Sequence, residues 1–162
     1  SDLVRTFSGI ENGLYTVGLK QYIPSSSSGT SYLILLNRYQ DNGPYDWSVQ
    51  IQAQMAENAI VSDFGQTSLP MVKDAWVDYR FEIDLFSNTV KEYYNNQLLS
   101  THQWRDLGGA NGRDALEALD LYANAAGPVY YDDLNVQLVP EPATITLVIL
   151  GGLALIARRR LA

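Results

Sequence analysis

A strict two-residue alternation runs through the middle of this chain. Val77, Tyr79, Phe81, Ile83 and Leu85 stand against Asp78, Arg80, Glu82 and Asp84. Successive side chains of a β-strand point to opposite faces, so this segment reads as a strand with one side in a core and the other in water. The same period sets Trp47, Val49, Ile51 and Ala53 against Ser48, Gln50, Gln52 and Gln54. Trp47 and Tyr79 therefore belong to the core. Further strands are predicted at 13–22, 31–39, 59–63, 89–94, 97–101, 116–123 and 129–138, and the first residues of the chain also have strand character.

The separators carry turn chemistry. Asn95-Asn96 divides two strand segments, and two asparagines tolerate the left-handed backbone that a tight hairpin requires. Loops are predicted at 25–29, 41–44 and 106–114, and residues 115–119 have room for one short helical turn. Many short strands joined by polar turns imply an all-β fold, a two-layer antiparallel sandwich over residues 1–139.

The chain has 162 residues, with 18 acidic and 11 basic side chains. Glu141 and three of the arginines lie in the last 23 residues, so residues 1–139 hold 17 acids against 8 bases. That surface repels phosphate backbones, which excludes nucleic acid as a partner. The absence of cysteine rules out disulfides and thiolate chemistry, and a single His102 rules out a multi-histidine metal site. The sequence begins at Ser1 without a methionine or an apolar leader, so it is expected to be an N-terminally shortened piece of an exported protein.

Residues 140–162 are of a different kind. Pro140-Glu141-Pro142 precedes an uncharged apolar run over 143–157, and Arg158-Arg159-Arg160 follows. A helix over that run is about 22 Å long, short for a bilayer core but close enough to span with local thinning. The arginines favour the cytoplasmic side and leave the preceding domain outside the inner membrane. This combination resembles the PEP-CTERM sorting tail of Gram-negative envelope proteins. The resemblance implies a transient membrane stop, an exosortase-type transpeptidase as partner, cleavage near the motif, and delivery to the cell surface or exopolysaccharide matrix.

The body resembles the concanavalin-like jelly-roll superfamily, which includes legume lectins and laminin-G-like modules. The resemblance is carried by Trp76–Asp84, by Val90-Lys91-Glu92-Tyr93-Tyr94-Asn95-Asn96-Gln97-Leu98-Leu99 and by Val129–Val136. It implies a sandwich that binds carbohydrate. Laminarinase-like hydrolases of that superfamily carry a Glu-x-Asp-x-x-Glu strand with two catalytic glutamates. Here the phrase is Glu82-Ile83-Asp84-Leu85-Phe86-Ser87, and Ser87 cannot perform the proton transfer of the second carboxylate. No catalytic residue is assigned.

Trp104, Tyr93 and Tyr130 are candidate sugar platforms, because C–H faces of pyranoses pack on aromatic faces. Trp104 has polar neighbours in His102-Gln103-Trp104-Arg105-Asp106, and folding over the sandwich end is its alternative. Alternation directs one of Asp132 and Asp133 inward, where a carboxylate needs a partner. A structural Ca²⁺ suits hard oxygen ligands, and the alternative is a cap on loop amides or a pair with Arg80 or Lys91. The expected function is non-enzymatic carbohydrate binding or adhesion at the cell surface. A structural surface protein without a small ligand is the second reading and a glycan-active hydrolase the third.

Overall fold

The computed structural model describes residues 1–105 and 112–140. Part of the predicted loop at 106–114 lies outside the described residues, as do Glu141, Pro142, the apolar run and Arg158–Arg160. Eleven strands are found among the described residues: β1 (Asp2–Thr6), β2 (Leu14–Tyr22), β3 (Thr30–Tyr39), β4 (Tyr45–Gln54), β5 (Ala59–Ser62), β6 (Thr67–Pro70), β7 (Trp76–Asp84), β8 (Thr89–Tyr94), β9 (Gln97–Gln103), β10 (Ala118–Asn124) and β11 (Tyr130–Leu138). They pair antiparallel into a six-stranded sheet, β1-β10-β3-β4-β5-β6, and a five-stranded sheet, β11-β2-β7-β8-β9. The expected two-layer antiparallel sandwich is present.

Burial follows the alternation. Along β7, Val77, Tyr79, Phe81 and Ile83 are buried while Asp78, Arg80, Glu82 and Asp84 face outward. They meet Val17 and Leu19 of β2, Leu33 and Leu35 of β3, and Val49 and Ile51 of β4 in one core between the sheets. Asn95 and Asn96 take φ of 49° and 60°, closing the two-residue hairpin between β8 and β9. Residues 115–119 contain no helical turn: Ala115 bridges Glu11, and Ala118 already pairs Leu36 in β10. Strand β6 escaped the sequence reading because Thr67–Pro70 is four residues at a sheet edge, ended by a proline.

Two polar systems cross the core. Tyr79 donates to Gln21 at 3.1 Å, Gln21 donates to Tyr131 at 2.9 Å, and the Tyr131 hydroxyl lies 3.0 Å from that of Ser31. Ser31 belongs to the six-stranded sheet and the other three to the five-stranded one, so the chain of bonds ties the layers together. The second system is Glu92, fully buried between Val90 and Tyr94 on the inner face of β8. Its Oε1 is 2.9 Å from Nε2 of His102. Burial pushes the His102 imidazole down, but the hydrogen bond and charge of Glu92 outweigh it and hold the imidazole above its ordinary value.

A histidine whose folded pKa is raised contributes its stability fully below its unfolded value, about 6.5, and loses it as pH rises through the folded value. The melting temperature of wild type is therefore expected to fall relative to Glu92→Gln as pH increases from about 6 to about 9. A difference curve between the two proteins that is flat across this window would show that the Glu92–His102 pair is not charged in the folded chain.

Candidate functional site: an aromatic groove on the six-stranded sheet

Strand β3 carries four consecutive apolar residues, Leu33-Ile34-Leu35-Leu36, and all four are buried. Leu33 and Leu35 point into the sandwich. Ile34 and Leu36 point the other way and form a second small cluster with Ala118, against which Val4, Tyr32 and Tyr39 pack. The outer face of this sheet is therefore not a plain solvated surface. Cross-strand registry places Asp2, Tyr122, Tyr32 and Gln52 in one row, Val4, Asp120, Ile34 and Gln50 in the next, and Thr6, Ala118, Leu36 and Trp47 in the third.

Trp47 reaches this face through a pair of bulges. Leu35 opposes Val49 and Leu36 opposes Trp47, leaving Ser48 as an extra residue; Arg38 then opposes Asp46, leaving Asn37 extra on β3. Each bulge shifts the parity of the strand that carries it. Ser48 and Val49 are both buried, and Trp47 emerges on the outer face, 39% exposed, where simple alternation had assigned it to the core. The two extra residues satisfy each other: Asn37 Nδ2 donates to Ser48 Oγ at 2.8 Å, and Asn37 Oδ1 accepts the Arg113 backbone N–H at 2.9 Å.

The result is a groove of about 520 Å³ floored by Ile34 and Leu36. Tyr45 and Trp47 flank it with nearly parallel rings, 13° apart with centroids 6.4 Å from each other. Tyr32 and Tyr122 form a tilted pair at 5.7 Å on the other side. The hairpin loop after β3 contributes Gln40, Asp41 and Asn42 to the wall. Asp2 and Asp120 are diagonal neighbours on adjacent strands at the groove's far side. Desolvation first, and then the adjacent Asp2 carboxyl, push the Asp120 carboxyl up to about 7.

The residues singled out in the sequence lie elsewhere. Trp104 is fully buried and donates its indole N–H to the Ala115 carbonyl at 3.1 Å. It continues the inward parity of Ser100 and His102, a parity disguised in the sequence because those inward residues are polar. It is a core residue, not a platform. Tyr93 and Tyr130 are on the outer face of the five-stranded sheet. Tyr93 lies under the Arg80 guanidinium, 3.7 Å from its ring centroid, and donates to Glu82. Tyr130 is exposed and packs on Tyr22, with Trp76 on the other side of Tyr22. The structure does not bring Trp104, Tyr93 and Tyr130 together.

The inward carboxylate expected at the Asp132-Asp133 pair is also absent. A bulge between Asp132 and Asn135, with Asp133 at φ 55°, breaks the alternation and leaves both acids exposed. Asp133 pairs with Lys20 at 2.6 Å, not with Arg80 or Lys91, and Asp132 accepts the Asp133 backbone N–H. No group of three acidic or histidine side chains is arranged for a metal ion among the described residues. In the hydrolase-like phrase, Glu82 pairs with Arg80 and Lys91, and Asp84 caps its turn by accepting the Phe86 and Ser87 N–H groups.

No family model matches the chain, and no curated protein matches it in sequence. Solved structures do match in fold. Galectin LEC-6 of Caenorhabditis elegans superposes with a TM-score of 0.56 at 14% identity, over 83% of this chain and 89% of the galectin. Carbohydrate-binding module CBM66 of Bacillus subtilis gives 0.54 at 9% identity, over 84% of this chain and 81% of the module. The endo-β-1,4-glucuronan lyase of the fungus Trichoderma reesei gives 0.58 at 15% identity, over 86% of this chain and 74% of the lyase. The fold is thus a galectin-like, concanavalin-like sandwich, and at these identities the likeness extends to fold alone.

The groove makes a prediction about stability. An acid whose folded pKa is raised opposes folding increasingly as pH climbs from its unfolded value, about 4, to its folded value. Asp120→Asn is therefore expected to stabilise the chain at about pH 8, by roughly 1–2 kcal/mol after solvent screening in an open groove, and to be near neutral at about pH 4. Thermal melts of both proteins at the two pH values check this, and a pH-independent difference would contradict the raised Asp120 carboxyl.

Proposed function

We propose that the domain is a non-enzymatic carbohydrate-binding module whose site is the outer groove of the six-stranded sheet. The observation that carries this reading is the groove itself: exposed, near-parallel Tyr45 and Trp47 rings beside an apolar floor, with carboxylates and amides at the edge. Pyranose C–H faces stack on such rings while ring hydroxyls donate to Asp or Gln side chains. The galectin and binding-module names among the fold neighbours support the same class of ligand. Against catalysis, Glu82 is taken up by Arg80 and Lys91 and Asp84 by its turn, so neither is free to serve as one of the two carboxyls of a glycosidase.

Trp47→Ala is expected to weaken glycan binding by about 1–3 kcal/mol, roughly 5- to 150-fold, with little change in melting temperature. Trp104→Ala is expected to do the reverse, costing about 3–5 kcal/mol of stability by emptying a packed aromatic site. A glycan array followed by calorimetry on both variants checks the pair. Binding that survives Trp47→Ala unchanged would remove the groove as the site.

The same proposal places the domain at the surface of a Gram-negative cell or in its exopolysaccharide matrix, delivered through the inner membrane by an exosortase-type transpeptidase. Its support is the Pro140-Glu141-Pro142 motif with the apolar run and arginine cluster behind it. The Val139 backbone N–H donates to the Leu14 carbonyl at 2.8 Å and Pro140 is exposed, so the motif follows directly on the final strand of the sandwich among the described residues. Replacing Pro140, Glu141 and Pro142 by alanine should leave the protein uncleaved in the inner membrane. A triple variant processed and delivered like wild type, followed by fractionation and blotting, would refute the sorting role.

A further inference from the structure

The polar chemistry of the groove is one-sided. Its charged lining residues are Asp2, Asp41 and Asp120, and among the described residues no lysine, arginine or histidine lines it. Several carboxylates elsewhere on the domain meet cations: Asp133 meets Lys20, Glu82 meets Arg80 and Lys91, Asp114 meets Arg105, and Glu117 meets Arg113. Asp120 has another acid for its neighbour instead. Its Oδ1 is wholly buried and takes no hydrogen-bond donor, and no cation of the groove lining offsets its charge. Like charges facing each other across adjacent strands are destabilising, and a cation between them reverses the sign.

The aromatic walls add to the same preference. Tyr122 follows Asp120 on the same face of β10 and opposes Asp2 on β1, with the Tyr32 ring beside it. A positive group lodged there meets two carboxylates and the negative face of a ring, in a pocket partly closed to water. A uronate or a sulfated sugar would meet the same acids with repulsion. From Asp120 to Trp47 the sheet advances by two strand spacings and one same-face step, about 10 Å across and about 7 Å along, which is the reach of a short oligosaccharide rather than of one ring.

We propose that this groove selects glycans bearing free amino groups, with a hexosamine ammonium seated between Asp2 and Asp120 against Tyr122 and the next sugar stacked on Tyr45 and Trp47. The inference rests on the carbohydrate reading of the groove and narrows it to a cationic ligand class. It also gives the acid pair a purpose: the ammonium supplies the counter-charge and the donor that Asp120 Oδ1 lacks.

The test compares trimers of β-1,4-linked glucosamine, N-acetylglucosamine and glucose by calorimetry on the full chain, at low salt and about pH 6, where a sugar amine is protonated. The glucosamine trimer is expected to bind at least about tenfold tighter than either neutral trimer. In Asp2→Asn/Asp120→Asn the preference should vanish, so that the three trimers bind alike, and a cooperative thermal melt shows that the variant is folded. Asp78→Asn/Asp132→Asn removes the same charge from the opposite sheet and should keep the preference. Equal affinity for all three trimers would overturn the ammonium site and leave the carbohydrate reading standing. A preference that persists without Asp2 and Asp120 would assign it to general acidity and overturn the site as well. Binding of none of the three would overturn both readings.

Discussion

Strand β3 is buried on both faces, and the rest of the molecule is arranged around that fact. Leu33 and Leu35 anchor the sandwich core, so the sheet that contains them cannot slide without exposing the core. Ile34 and Leu36 look outward from the same strand, and the chain flanks them with rings from β10, β4 and β3 itself rather than with another layer. A half-covered apolar strip edged by aromatic rings is a surface prepared for a ligand with its own apolar face. Because the floor is the central strand of the sheet, the site inherits the rigidity of the core.

The paired bulges at Asn37 and Ser48 bring the aromatic edge into place. Either bulge alone would leave β3 and β4 out of register toward the hairpin; together they restore it by Arg38 and Asp46. Between them Trp47 has changed sides. The device needs a buried polar contact, since the two extra residues turn toward the interior, and the Asn37–Ser48 bond with the Arg113 N–H supplies it. Packing and site geometry are joined at this point: the core excludes Trp47 because Ser48 has taken the inward position.

These particulars explain what the sequence made legible. The alternation of β7, the Asn95-Asn96 hairpin and most strand positions could be read because one residue type was confined to each face. The reading lost the site at places where a strand breaks its own period. Trp47 was misplaced by a bulge that depends on pairing with β3, which a single strand does not display. Asp132 and Asp133 failed for the same reason at the bulge in β11. Of the two readings of Trp104 the buried one holds; the choice was open in the sequence because its inward companions, Ser100 and His102, are polar, and only the contact with Glu92 makes a histidine at home there. One signal was available: four uninterrupted apolar residues at Leu33–Leu36 cannot all face a single core, so the outer face of that strand had to be covered by something.

The two outer faces of the sandwich differ in how they treat charge, and this difference ties the acidic composition to the site. On the five-stranded sheet, Lys20, Arg80 and Lys91 neutralise Asp133 and Glu82 along the exposed surface, and Arg80 also covers the Tyr93 ring. A ring already occupied by a guanidinium has little left to offer a sugar or a cation. On the six-stranded sheet the rings at Tyr45, Trp47 and Tyr122 are exposed, and the acids beside them line the groove without a basic residue among them. Exposed surface pairs contribute little to stability, so the cations of the first face are not required there to hold the fold. Their effect is to offset part of the charge on one face, whereas the acids of the aromatic groove have no basic residue in the same lining.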